Sequence, residues 1–210
     1  SGVQTTHFNT LRGKTIVVDA SIYMYKFKQD GVFAELFYNF VSTMKYYGMT
    51  PIFVFDGRPS ESKRSTIAER REFRNTSEVQ CNTTVEKLEN MKRELNEIMG
   101  IPTTSSLAIR KLKQDIGQLE RHAVSLRKSA VSLEWGDFIT AKKILNAMGI
   151  YHVTPVNEAD PLCVKFVISG IAYACMSEDT DMFVYGCTRI IRSVNVFTRK
   201  CIMYTTGTIL

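Results

Sequence analysis

Four hydrophobic runs in this 210-residue chain end in acidic residues, and that pattern restricts the fold more than any other feature. The runs read TIVVDAS, PIFVFDG, YHVTPVNEAD and AYACMSEDTD; the acids at or just beyond their ends are Asp19, Asp56, Glu158, Asp160, Asp179 and Asp181. A strand buried in a parallel sheet cannot carry such charges, but its carboxyl end opens into the crevice where α/β proteins bind ligands. Carboxylates gathered there repel one another unless a cation neutralises them, and hard oxygen donors suit Mg²⁺ or Mn²⁺. A lone aspartate after a strand is usually a turn or helix cap. Four acid-ended strands, two with acid-x-acid spacing, are hard to assign to capping.

The spacing between the runs fits a parallel sheet. Thr15–Val18 reads as a strand, and Phe33, Leu36, Phe37, Phe40, Val41 and Met44 recur at helical spacing up to a stop at Gly48. Pro51–Phe55 is a second strand, completing a βαβ unit. The pattern resumes after Trp135 with a helix over Phe138–Met148, a strand over Ile150–Val153, and a helix capped by Asn157 and closed by Gly170. Ala172–Met176 and Ile190–Val194 supply further strands.

The middle of the chain has a different period. Leu112, Ile116, Leu119, Ala123, Leu126, Ala130 and Leu133 form a heptad seam, and Leu88, Met91, Leu95 and Ile98 a shorter one, with a loop over Gly100–Ser106 between them. Two long helices folded into an antiparallel hairpin are the economical reading; an oligomerisation coil is the other. The segment from Gly57 to Leu133 holds fifteen Lys/Arg against ten Asp/Glu, so +5 of the +6 net charge sits there. A near-neutral core with a basic segment suits a polyanion binder, though a solvated helix face has the same charge.

Composition narrows the class further. With 44% hydrophobic residues and mixed charge the chain is expected to be globular, and no run approaches a membrane span or signal peptide. Five cysteines without a C-x-x-C pair argue against a disulfide framework or zinc site; they read as buried small hydrophobes in a reducing, intracellular compartment. Three scattered histidines argue against a histidine triad. Ser1 stands where a start methionine is expected and reads as a cloning remnant, with a native start of Met-Gly-Val-Gln.

GVQTT, IVVDAS, VFDGRPS, NEAD and SEDTD together resemble the signature segments of the flap endonuclease family, which includes exonuclease one and the xeroderma pigmentosum group G nuclease. The resemblance covers residues 1–75 and about 134–210. It implies an α/β fold, a PIN-like parallel sheet flanked by helices, with residues 1–57 and 134–210 as nuclease core and 58–133 as a helical arch or hairpin insertion. It also implies that Asp19, Asp56, Glu158, Asp160, Asp179 and Asp181 are metal-site carboxylates for two Mg²⁺ (or Mn²⁺) ions, Asp160 standing where many members have glutamate. Lys63 and Arg70, seven and fourteen residues beyond Asp56, match basic arch residues that engage the scissile phosphate, with Arg71 and Arg74 on the same basic stretch. Tyr25 matches an aromatic that stacks a base, and Gly2 an amino terminus close to the site.

The expectation is therefore a structure-specific five-prime DNA nuclease of replication, repair or recombination, nuclear in a eukaryote, acting on flaps, ends or branches without a membrane partner. A PIN-like ribonuclease and a non-catalytic nucleic-acid-binding scaffold are the alternatives, and RNA stays open as substrate. Two departures stand out. The insertion is longer than an ordinary family arch. The chain also stops at Leu210, before the family's seventh carboxylate, its duplex-gripping helix–hairpin–helix and its sliding-clamp tail.

Overall fold

The computed structural model describes residues 2–58, 61–99 and 106–206. The described strands are β1 (Val3–His7), β2 (Thr15–Asp19), β3 (Thr50–Val54), β4 (His152–Val153), β5 (Ala174–Met176), β6 (Arg189–Asn195) and β7 (Lys200–Thr205). They form one sheet in the order β1-β7-β6-β5-β2-β3-β4. Strands β6, β5, β2, β3 and β4 run parallel, as the apolar runs imply. The sheet is nonetheless mixed: β7 and β1 add an antiparallel edge, Val3 pairing with Tyr204.

The helices are α1 (Ala20–Gln29), α2 (Phe33–Tyr46), α3 (Arg64–Met99), α4 (Ser106–Ala130), α5 (Trp135–Ala147), α6 (Ala159–Ile168) and α7 (Asp181–Val184). The strands after α5 and α6 are shorter than expected. The helix ends consume backbone donors first: Ile150 N–H bonds to Leu145 O, and Ala172 N–H to Phe166 O. Among the described residues no helix is long and apolar enough to cross a membrane. The cysteines are free thiols, all buried except the half-buried Cys81.

Because side chains alternate across a strand, β2 feeds two cores at once. Ile16 and Val18 face a cluster holding Tyr23, Met24 and Phe27 of α1, Phe37, Phe40 and Met44 of α2, and Ala141 and Leu145 of α5. Val17 faces the other side, where Cys163, Val164 and Val167 of α6 pack with Cys175, Met182 and Cys187. Phe40 is central to the first cluster. Its ring stacks on Tyr23 at 4.8 Å and meets Phe27 at 5.5 Å and Phe53 at 6.2 Å. Phe40→Ala is expected to cost about 3–5 kcal/mol, the range for emptying a buried aromatic site. Urea denaturation measures it; a loss under about 1 kcal/mol would mean the cluster repacks freely.

Arg64–Ser132 forms a compact unit of its own, and the rest of the chain a second. Within the first, α3 and α4 pack antiparallel, with Cys81 Sγ 3.7 Å from Ala123 O and Lys92 paired to Glu120 at 2.7 Å. The α4 seam holds, from Leu112 through Ala130, buried or half-buried. The α3 seam extends further back than the leucines suggested, through Thr84, Cys81 and Ser77 to Arg74, all buried or half-buried. The connecting loop expected over Gly100–Ser106 lies, up to residue 105, outside the described residues.

Candidate metal centre at the carboxyl ends of the strands

The strand order places a switch point at β2. The chain moves from β2 outward to β3 and β4 on one side, then returns to β5 and β6 on the other. Crevices of α/β proteins open beyond the carboxyl ends of strands at such a reversal. The acid-bearing segments converge here.

Asp19 ends β2 and caps α1, its Oδ1 accepting from Ile22 N–H at 3.5 Å. It is 3% exposed. Asp56 lies two residues past β3 and is exposed, with Oδ1 accepting from Ala159 N–H at 3.0 Å. It therefore caps α6 from across the crevice. Gly57 permits that approach: its N–H bonds to Asn157 O at 2.8 Å, and a Cβ there would collide with the carbonyl oxygens of Pro155, Val156 and Asn157. The expected cap, Asn157, is displaced because its backbone is engaged in this bridge; the N-cap position falls to Glu158.

Glu158 accepts from Lys63 Nζ at 2.8 Å, and Asp160 sits in the first turn of α6, 8% exposed. Beyond β5, Ser177 Oγ accepts from Asp179 N–H at 3.1 Å, and Asp179 Oδ1 accepts from Asp181 N–H at 2.9 Å. Asp181 opens α7 and is exposed.

The electrostatics tie four of these acids together. Burial, then the charges of Asp56 and Asp160, push Asp19 up from 3.8 to about 7. Burial, then Asp179 and Asp56, raise Asp160 to about 6, against the pull of Lys63. Hydrogen bonding to Glu158 in turn raises Lys63 above its usual value. Asp19, Asp56, Asp160 and Asp179 thus share one negative field, with Glu158 at its border. Asp181 connects to them through the carboxylate of Asp179.

A divalent cation would relieve that field, and an all-carboxylate donor set suits Mg²⁺ or Mn²⁺ held partly through water. The acids fit such an ion in chemistry and charge. They do not form a closed cage: among the described residues no three His, Cys, Asp or Glu side chains stand close enough to hold one.

The remaining expected residues are spread out. Tyr25 is half-buried on α1, while Tyr23 and Phe27 of the same helix fill the core. Arg70 and Arg71 are exposed on α3. Arg74 is half-buried, in line with Ser77, Cys81 and Thr84 on the α3 seam. Gly2 accepts at its carbonyl from Thr205 N–H at 2.7 Å, beside the amino end of β6 and just ahead of β1, the edge strand four places from β2.

Two residues of S-E-D-T-D escaped the sequence reading. Ser177 is fully buried between Asp19 and Asp179, donating to Asp19 Oδ2 at 3.1 Å. Glu178 turns away, accepting from Ser193 N–H at 2.8 Å while its carbonyl accepts from Arg192 at 2.8 Å. Ser177's place where a buried run meets three acids was the available signal; Glu178's partner lies on another strand.

Comparison with known proteins adds to this geometry. The XPG N-terminal domain matches residues 1–77 and the XPG I-region residues 149–208. The chain is 27% identical over 206 residues to flap endonuclease 1 of Chlamydomonas reinhardtii, covering 90% of this chain and 44% of that protein. It is 26% identical over 204 residues to flap endonuclease 1-B of Xenopus laevis, covering 90% and 45%. The chain therefore spans less than half the length of these relatives. Its fold resembles the catalytic core of Rad2 in complex with DNA substrate, with TM-score 0.64 and 19% identity over 97% of this chain and 52% of that one. It also resembles the Holliday junction-resolving enzyme GEN1 in complex with product DNA and Mg²⁺, with TM-score 0.54 and 14% identity over 96% and 37%.

Proposed function

The chain belongs to the flap endonuclease/XPG family, and from that premise we propose that it carries a divalent-metal-dependent, structure-specific nuclease centre acting on DNA flaps, ends or branches. The observation that carries this reading is the shared negative field of Asp19, Asp56, Asp160 and Asp179 at the β2 switch point. DNA as substrate draws support from the Rad2 and GEN1 complexes, and Mg²⁺ from the latter.

Asp19, Asp56, Glu158, Asp160, Asp179 and Asp181 would hold two ions between them. Bound there, such ions would supply the means to ionise a water and to offset charge on the leaving oxygen of a phosphodiester. The protein's own part is to bring carboxylates from separate segments to the crevice beyond the carboxyl ends of the strands. Asp56 does so while capping α6; Asp19 does so from a buried strand end.

Lys63 positions the phosphate. Its side chain is 45% exposed, so its ammonium can reach a phosphate oxygen from the open side of its pair with the more buried Glu158. Arg70, exposed on α3, and the other cations of the basic segment 58–133 would contact phosphates of the DNA. Tyr25 offers a ring for a base next to the cut.

A labelled panel tests the assignment: five-prime flap, nicked, gapped and Holliday-junction DNA, single strands, and a matched RNA flap, each with Mg²⁺ and with EDTA. Cleavage of the branched DNA in Mg²⁺ alone is expected. Preferential cutting of the RNA flap would move the reading to a ribonuclease, and no cutting of any substrate would favour a binding scaffold.

A further inference from the structure

Ser177 belongs to neither the cores nor the acids, yet it is bonded on every side. It directly follows β5 and is fully buried. Its N–H donates to Ile191 O on β6 at 3.2 Å, which holds its backbone in place. Its hydroxyl has one proton, and Asp19 Oδ2 receives it at 3.1 Å. Ser177 Oγ in turn accepts the N–H of Asp179 at 3.1 Å. A single buried atom therefore orients a carboxylate on β2 and the backbone of the acid-bearing turn after β5. These two strands are neighbours at the switch point.

We infer that Ser177 is a positioning residue of the metal centre, setting the rotamer of Asp19 and the path of the Asp179 turn so that both carboxylates meet a divalent ion in register. The inference rests on the metal-centre reading given above. The hydroxyl donates its one proton to Asp19 and keeps lone pairs for Asp179 N–H, so one atom serves both bonds and removing it removes both. Without the hydroxyl, Asp19 Oδ2 and Asp179 N–H lose this shared partner, and with it the bond that holds each in line. Groups that orient metal ligands from behind typically change metal affinity by about 10- to 100-fold when removed.

Three variants separate positioning from packing. Ser177→Ala removes the oxygen, Ser177→Cys keeps a similar volume with a poor donor, and Ser177→Thr keeps the hydroxyl. Mn²⁺ affinity is read by calorimetry, alongside kcat and KM on a five-prime flap and the melting temperature in EDTA. Ala and Cys are expected to weaken Mn²⁺ binding about 10- to 100-fold, with KM for DNA changed less than about twofold and the EDTA melting temperature within a few degrees of wild type. Thr is expected to recover most of the affinity. Wild-type Mn²⁺ affinity in Ser177→Cys or Ser177→Ala overturns the inference while leaving the metal centre standing. Absence of Mn²⁺ binding by the wild-type chain overturns the metal-centre reading, and this inference with it.

Discussion

Asp179→Ala is expected to reduce Mg²⁺-dependent cleavage of a five-prime flap by about a thousandfold or more, with flap binding and melting temperature nearly unchanged. Charge stabilisation at a metal-assisted phosphodiester is worth several kcal/mol, and each ~4 kcal/mol is about a factor of a thousand in rate. Asp179 bears on this directly: its charge is the largest electrostatic influence on Asp160. Its backbone N–H bonds to Ser177 and needs no carboxylate, so the turn keeps its anchor in the variant. Single-turnover cleavage with excess protein reads chemistry apart from binding. Rates within about tenfold of wild type would remove Asp179 from the centre.

Asp19→Asn should act in the opposite sense on stability, raising it in the absence of metal by up to about 4 kcal/mol at pH 8. The wild-type carboxylate is driven from 3.8 to about 7 by burial and by its acidic neighbours. Below pH 3.8 it is protonated in both the folded and unfolded chain and imposes no penalty; the penalty grows as pH rises through about 7 and is then constant. The gap between variant and wild type is therefore expected to close as pH falls from 8 toward 4. Thermal unfolding in EDTA across that range measures it. A variant less stable than wild type at pH 8 would show that Asp19's hydrogen bonds outweigh its repulsion. The same substitution should abolish cleavage, so stability and activity part in one residue, as expected where like charges are held together for a ligand.

What could be read from the sequence follows from burial. The inner strands were legible because Ile16, Val17 and Val18 are all fully buried, leaving an uninterrupted apolar run that a loop would not carry. The α4 seam was legible for the same reason, since leucines recur wherever α3 covers them. Strand β1 was not: VQTTH is exposed at Val3, Gln4 and Thr5, and the partner of Val3 lies at the far end of the chain, at Tyr204. The first half of the α3 seam escaped because Ser77, Cys81 and Thr84 are small enough to sit under α4 without an apolar signature.

The site divides along similar lines. Acids beyond strand ends are visible in one dimension, and convergence of Asp19, Asp56, Asp160 and Asp179 follows once the strands are ordered. Partner choice is not visible. Glu178 and Asp179 are adjacent, but the N–H of Ser193 on β6 claims one and leaves the other facing the acids. Asp56 gained a second task as the cap of α6 only because Gly57 lets two backbones touch. The place of Gly2 follows from topology: it precedes the edge strand β1, which pairs with β7, and so lies beside the amino end of β6.

The decisive measurement is titration of the wild-type chain with Mn²⁺ at pH 8, following the free ion by electron paramagnetic resonance, with Asp179→Ala and Asp19→Asn beside it. If the strand-end acids form a divalent-cation centre, the wild-type chain will deplete the free-ion signal saturably and both variants will bind markedly less. A free-ion signal matching buffer in the wild-type chain, or equal depletion by all three proteins, would contradict it.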